Sequence, residues 1–141
     1  MHSYDTKKVM VLLPIIVAST MVFISESKHI PPDIAEHWKQ TLAPFHTICL
    51  NETELNPQLL AHLLSDFEIP DEKLIHCYWK CMQEHMEIIK NGKINIDAMY
   101  KAIYMITPYM RTICVEEAYK EEELCRRSHK LAQCIISNKM E

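Results

Sequence analysis

The stretch HCYWKCMQEHM, residues 76–86, sets two cysteines four residues apart in a run that otherwise reads as helix. On a helix this spacing stacks Cys77 and Cys81 on one face, about one turn apart. Such a pair can hold a metal, carry redox chemistry, or be tied to two different neighbours. The flanking His76 and His85 make zinc the competing reading. Structural zinc sites, however, commonly separate paired cysteines by two residues, and a redox pair wants Cys-x-x-Cys at a helix N-terminus.

Working outward, length and composition narrow the fold. The chain has 141 residues, enough for one small domain, with 24% charged residues and a net charge of −4. It contains a single glycine, Gly92. Tight hairpins and phosphate-binding loops draw on glycine, so the composition favours helices. The negative charge gives no electrostatic basis for binding nucleic acid or an anionic membrane.

Residues 1–27 read as a secretory signal peptide. Lys7 and Lys8 precede an apolar run from Val9 to Ile24, and Ser25-Glu26-Ser27 supplies small residues two apart, as cleavage sites do. The run is shorter than the roughly 20 residues a membrane span needs and is interrupted by Pro14, Ser19 and Thr20. Cleavage after Ser27 leaves a domain of residues 28–141, expected to be secreted and not inserted in a membrane. All six cysteines fall in that part. In an oxidising compartment an even number is most simply three disulfides, and six cysteines allow fifteen pairings.

The spacing of apolar residues and breakers predicts an all-α domain of six helical segments. The first opens at Pro31-Pro32-Asp33 and carries a stripe of Ile34, Trp38, Leu42, Phe45, Ile48 and Cys49, with a kink expected at Pro44. Asn56-Pro57 starts a second segment to Phe67, and Ile69-Pro70 a third that runs to Lys90 and stops at Asn91-Gly92. Asp97 is expected to cap a fourth through Met105. Thr107-Pro108 opens a fifth to Lys120, and a sixth spans Glu122 to Ser137. The third segment has one stripe of Leu74, Cys77, Cys81 and Ile88 and another of Ile75, Met82, Met86 and Ile89, which marks it as buried. Cys125 and Cys134, nine residues apart at about 100° each, lie on opposite sides of the sixth.

The whole pattern, Cys49-x27-Cys77-x3-Cys81-x32-Cys114-x10-Cys125-x8-Cys134, resembles the insect odorant-binding proteins, the pheromone-binding and general odorant-binding family. The resemblance covers the mature chain and includes the preceding signal peptide. It implies first-to-third, second-to-fifth and fourth-to-sixth pairing: Cys49–Cys81, Cys77–Cys125 and Cys114–Cys134. It also implies a secreted carrier, without catalysis or cofactor, that encloses a small hydrophobic odorant or pheromone and moves it through the lymph around olfactory neurons. Its partners would be that ligand and an olfactory receptor, and it would be a monomer or weak homodimer. A carrier of other lipids or hormones, or a helical interaction protein with a filled core, is the alternative.

Helix faces and the family layout together give the expected ligand-binding set: Trp38, Leu42 and Phe45 in the first segment, Met99 and Ile103 in the fourth, and Trp79, Gln83 and Ile135 around the third and sixth cysteines. Met82, Met86, Met99, Met105 and Met110 are adaptable apolar material, and Phe67, Tyr100 and Tyr104 offer further flat walls. Gln83 is a polar group suited to an alcohol, aldehyde or ester oxygen. Seven histidines remain after residue 27, candidates for a pH response. Only seven residues follow Cys134, fewer than in family members whose acid-driven tail enters the pocket, so that switch is not expected. Asn51-Glu52-Thr53 is a glycosylation sequon in an expected loop. Enzyme signatures are missing: there is no glycine-rich calcium loop and no Gly-x-Ser-x-Gly. A saposin-like fold would pair its cysteines at two-residue gaps. No metal site is expected.

Overall fold

Helices form where the breakers and caps permit them, and the caps are visible atom by atom. In the computed structural model, which describes residues 28–140, α1 (Pro32–Thr53) begins with a proline in its first turn and runs unbroken through Pro44. A 3-10 turn (Pro57–Leu60) follows, capped by Asn56, whose side-chain oxygen accepts from the Gln58 amide at 3.0 Å. Then come the single-turn α2 (Leu63–Asp66), α3 (Lys73–His85), β1 (Ile89–Lys90), β2 (Lys93–Ile94), α4 (Ile96–Ala102), α5 (Pro108–Tyr119) and α6 (Leu124–Ser137). Thr107 Oγ1 accepts from Met110 N at 3.1 Å to cap α5. Glu123 caps α6, its two carboxylate oxygens accepting from Cys125 N and Arg126 N at 2.9 and 2.8 Å. The fold is therefore mostly helical, as its patterning implies. The signal-peptide reading of residues 1–27 lies outside the described residues.

Three departures from the expected elements have local causes. The third segment ends at His85, not Lys90, because Glu87 takes positive φ (61°), and beyond it Asn91 and Gly92 do so too (52° and 74°). That is the geometry of a two-residue hairpin turn, for which Asn-Gly is a strong signal. Ile89 and Lys90 consequently pair antiparallel with Ile94 and Lys93, so the single glycine serves a hairpin rather than a helix stop. The second segment is not one helix to Phe67. Leu60 and Leu63, three apart, are both buried, and the chain meets that spacing with a 3-10 turn followed by one α turn. The fourth segment ends at Ala102 rather than Met105, since Ile103 is extended and Met105 has φ of 60°. Its cap is Asn95, accepting from Ala98 N at 3.3 Å, and Asp97 lies in the first turn.

The core gathers around α3. That helix packs against α1 and α6, and α6 packs in turn against α5. Ile75, Tyr78 and Met82 on α3, Leu63 before it and Leu131 on α6 have no exposed surface. Burial is not complete around either long helix: Leu74 on α3 and Ile48 on α1, both assigned to apolar stripes, are exposed by 49% and 43%. Ile48 stands beside the face that carries Cys49, whereas Leu74 shares the stripe of Cys77 and Cys81 but lies in the first turn of α3. Three disulfides join the helices: Cys49–Cys81 ties α1 to α3, Cys77–Cys125 ties α3 to α6, and Cys114–Cys134 ties α5 to α6. Their Cα separations are 5.6, 4.5 and 5.4 Å. Such bridges stabilise small domains by about 2–4 kcal/mol each, through an entropic or enthalpic route that remains model-dependent. The two thiols of residues 77 and 81 are thus spent on two different helices. No helix among the described residues is long and apolar enough to cross a membrane.

Candidate functional site

An apolar cavity lies where α1, α3 and α6 meet. Trp38, Thr41 and Leu42 line it from α1, and Trp79 and Gln83 from α3. Leu131, Ala132, Ile135 and Ile136 do so from α6, spaced three to four residues apart on one face. The remaining wall comes from residues at helix ends: Phe67 just past α2, Met86 and Ile88 past α3, and Ala102 and Ile103 at the end of α4. The cavity offers about 60 Å³ to the centres of water-sized molecules. A single water needs roughly 10–15 Å³ on that scale. The cavity therefore takes a compact guest as it stands and a longer one only if flexible side chains such as Met86 move.

Of the eight residues assigned to ligand binding by sequence, Trp38, Leu42, Trp79, Gln83, Ile103 and Ile135 meet on this cavity. Phe45 and Met99 do not line it. Phe45 is partly buried against the core and stacks on His85, ring centroids 5.6 Å apart. Met99 is fully buried elsewhere in the core, and Ile103 reaches the cavity from extended backbone rather than from a face shared with Met99. Of the five methionines named above, Met86 lines the space; Met82, Met99 and Met110 are buried core, and Met105 is exposed. Tyr100 and Tyr104 are likewise exposed, whereas Phe67 contributes a wall and meets Trp38 edge-on at 5.6 Å. Leu131, Ala132 and Ile136 were not among the assigned residues, although their three-to-four-residue spacing from Ile135 on α6 is a signal that points to them. Periodicity placed Ile88 on a stripe of a helix that ends before it, and for Ala102, at the end of α4, it offers no signal.

The polar groups around the cavity are few and mostly committed. Trp38 Nε1 donates to the Tyr104 carbonyl at 3.0 Å, and Thr41 Oγ1 to the His37 carbonyl at 3.0 Å. Gln83 is buried, not solvent-facing, and its Nε2 donates to the Ser128 carbonyl at 2.8 Å. Beneath α3, the Tyr78 hydroxyl and His46 Nδ1 are 2.6 Å apart. Burial holds the His46 imidazole below the usual histidine value and pushes the Tyr78 phenol well above its own.

Among the described residues, two clusters carry metal-ligating atoms. In one, Cys49 and Cys81 are consumed by their disulfide. The other brings Asp71, His76 and His129 together: His76 Nε2 meets Asp71 Oδ1 at 2.6 Å, and the two imidazoles are 4.3 Å apart. Arg126 and Lys130 line the same cleft, which opposes a cation. His129 is itself buried against the Pro70 carbonyl at 3.2 Å, so not every histidine is a surface residue. Burial first, and the neighbouring His76 second, hold His129 below the usual histidine value. Asn51 is exposed but sits in the last turn of α1, not in a loop.

Comparison with known proteins agrees with this geometry. The sequence model of the PBP/GOBP family matches residues 32–138, which spans all six helices and all six cysteines. A search of curated proteins finds no match.

Proposed function

Since the chain belongs to the PBP/GOBP family, whose members are small soluble carriers of odorants and pheromones, we propose that it binds a small hydrophobic ligand in the α1–α3–α6 cavity and carries it unchanged through aqueous fluid. The supporting observation is the cavity itself. A chain this short has little spare core, and empty apolar volume is costly, of order 24 cal/mol per Å³ in measured series. A space left open between helices that three disulfides hold in place is best accounted for by a guest. On this reading residues 1–27 direct secretion, residues 28–141 form the carrier, and an olfactory receptor is the downstream partner. The protein acts as a monomer or weak homodimer and performs no catalysis.

The test is titration of the oxidised protein with an apolar fluorophore whose emission depends on its surroundings, followed by displacement with small volatile compounds. Saturable one-to-one binding that compact apolar molecules reverse is the expected result. A folded sample that binds neither fluorophore nor volatile compound would favour a helical interaction protein, and the carrier reading would be abandoned.

A further inference from the structure

Two buried side-chain atoms among the described residues have no hydrogen-bonding partner, Trp79 Nε1 and Gln83 Oε1, and both belong to residues that line the cavity. Trp79 is 4% exposed and Gln83 3%. Buried polar groups left unpaired are rare and costly in native proteins, so a pair on one cavity wall calls for an explanation. The identity of the Gln83 atom is fixed by its other contact. A carbonyl only accepts, so the amide end 2.8 Å from the Ser128 carbonyl is the nitrogen, and the oxygen is the unpaired end. The other indole offers a contrast, because Trp38 Nε1 is satisfied by the Tyr104 carbonyl.

Resting on the carrier reading above, we propose that the cavity selects guests bearing a hydroxyl group, which accepts from Trp79 Nε1 and donates to Gln83 Oε1. Residues 79 and 83 are one helical turn apart on α3, so their side chains are neighbours on one face. Between them the two side chains carry one unpaired donor and one unpaired acceptor. A hydroxyl is both donor and acceptor and satisfies the two at once. Esters, aldehydes and ethers only accept, and satisfy Trp79 alone; a hydrocarbon satisfies neither. The other polar lining side chains have no free donor, since Trp38 Nε1 donates to the Tyr104 carbonyl and Thr41 Oγ1 to the His37 carbonyl; the Thr41 oxygen keeps its capacity to accept. The apolar residues of α1, α6 and the α4 end then receive the alkyl tail.

The experiment uses protein expressed from the full sequence through an oxidising secretory route, its three disulfides verified, with the fluorophore above as reporter. Hexanol, pentyl methyl ether and heptane have equal numbers of heavy atoms and differ only in what they donate and accept. The expected order of displacement is hexanol, then the ether, then heptane, with the alcohol roughly tenfold ahead of the ether. Gln83→Met is expected to close the alcohol–ether gap and leave ether affinity in place. Trp79→Phe is expected to close the ether–heptane gap, which keeps the proposal testable should the loss of the Ser128 contact destabilise Gln83→Met. Equal displacement by all three compounds, in a protein that binds the fluorophore, overturns the hydroxyl preference and leaves the carrier reading standing. Failure of a folded protein to bind the fluorophore or any of the three overturns both.

Discussion

The α3–α6 wall of the cavity and the wall made by Phe67, Ala102 and Ile103 are built by different means. On the first, Trp79 and Gln83 sit two residues from disulfide-bonded cysteines, and Ile135 directly follows one, on helices of 13 and 14 residues. On the second, the side chains project from the ends of a four-residue and a seven-residue helix, and no disulfide reaches them. Phe67 itself takes a left-handed conformation, φ 52°. Its nearest long-range fastening is the hydrogen bond from Trp38 to Tyr104, one residue past Ile103. Short elements with few fastenings open at low free energy, whereas long cross-linked ones open only with the whole fold. The stapled wall is therefore expected to be the more rigid of the two.

The largest effect comes from unstapling the first wall. Replacing both Cys77 and Cys125 with serine removes the α3–α6 bridge and is expected to cost about 2–5 kcal/mol in denaturant unfolding. If the loss were near zero, the contrast between the walls would not be covalent in origin. Next, Ile135→Ala and Ile103→Ala delete similar side chains from opposite walls. On the stapled wall, where Ile135 is buried and its surroundings cannot collapse, the cost is expected to be about 2–4 kcal/mol. On the other, with Ile103 only half-buried, roughly half that is expected. Equal costs would show that both walls are equally rigid.

Acidification should produce the smallest effect. His46 and His129 are held in the neutral form by burial, and the unfolded chain takes up a proton near pH 6.5. The unfolded state therefore binds more protons below that pH, so stability is full above about pH 6.5 and falls as the pH drops below it. The melting temperature at pH 5.5 is expected to lie below that at pH 7.5, with a flatter dependence in His129→Gln. An unchanged slope in that variant would remove His129, which anchors α6 against Pro70 on the stapled side, as a source of the pH dependence.

What the sequence made legible follows the same division. The helices carrying cysteines were readable from apolar periodicity, and the resemblance supplied a pairing that spacing alone leaves among fifteen possibilities. The cavity residues on α1, α3 and α6 were largely readable for the same reason, since a helix face repeats. The unstapled wall was not. Phe67 was visible only as a spare aromatic, Ile103 was assigned to a helix that stops short of it, Ile88 was placed on an apolar stripe but not at the cavity, and Ala102 went unremarked. Their positions depend on where short elements end, and those ends are set by left-handed residues such as Glu87 and Met105 that are not the usual glycine. The Asn91-Gly92 turn shows the cost of one ambiguous signal, because helix stop and hairpin share the dipeptide. Gln83 was legible as a polar residue at a pocket position, whereas its unpaired oxygen became visible only with Ser128 in place.

The most direct test uses the two tryptophans of the chain, one on each side of the proposed guest, whose indole N–H groups give separate signals in a nitrogen–proton correlation spectrum. Titration with hexanol is expected to move the Trp79 signal saturably, with slowed exchange against water as its N–H gains a partner. Trp38, already bonded to Tyr104, should move less. Displacement of the fluorophore with both indole signals unmoved would place binding outside this cavity and contradict the account.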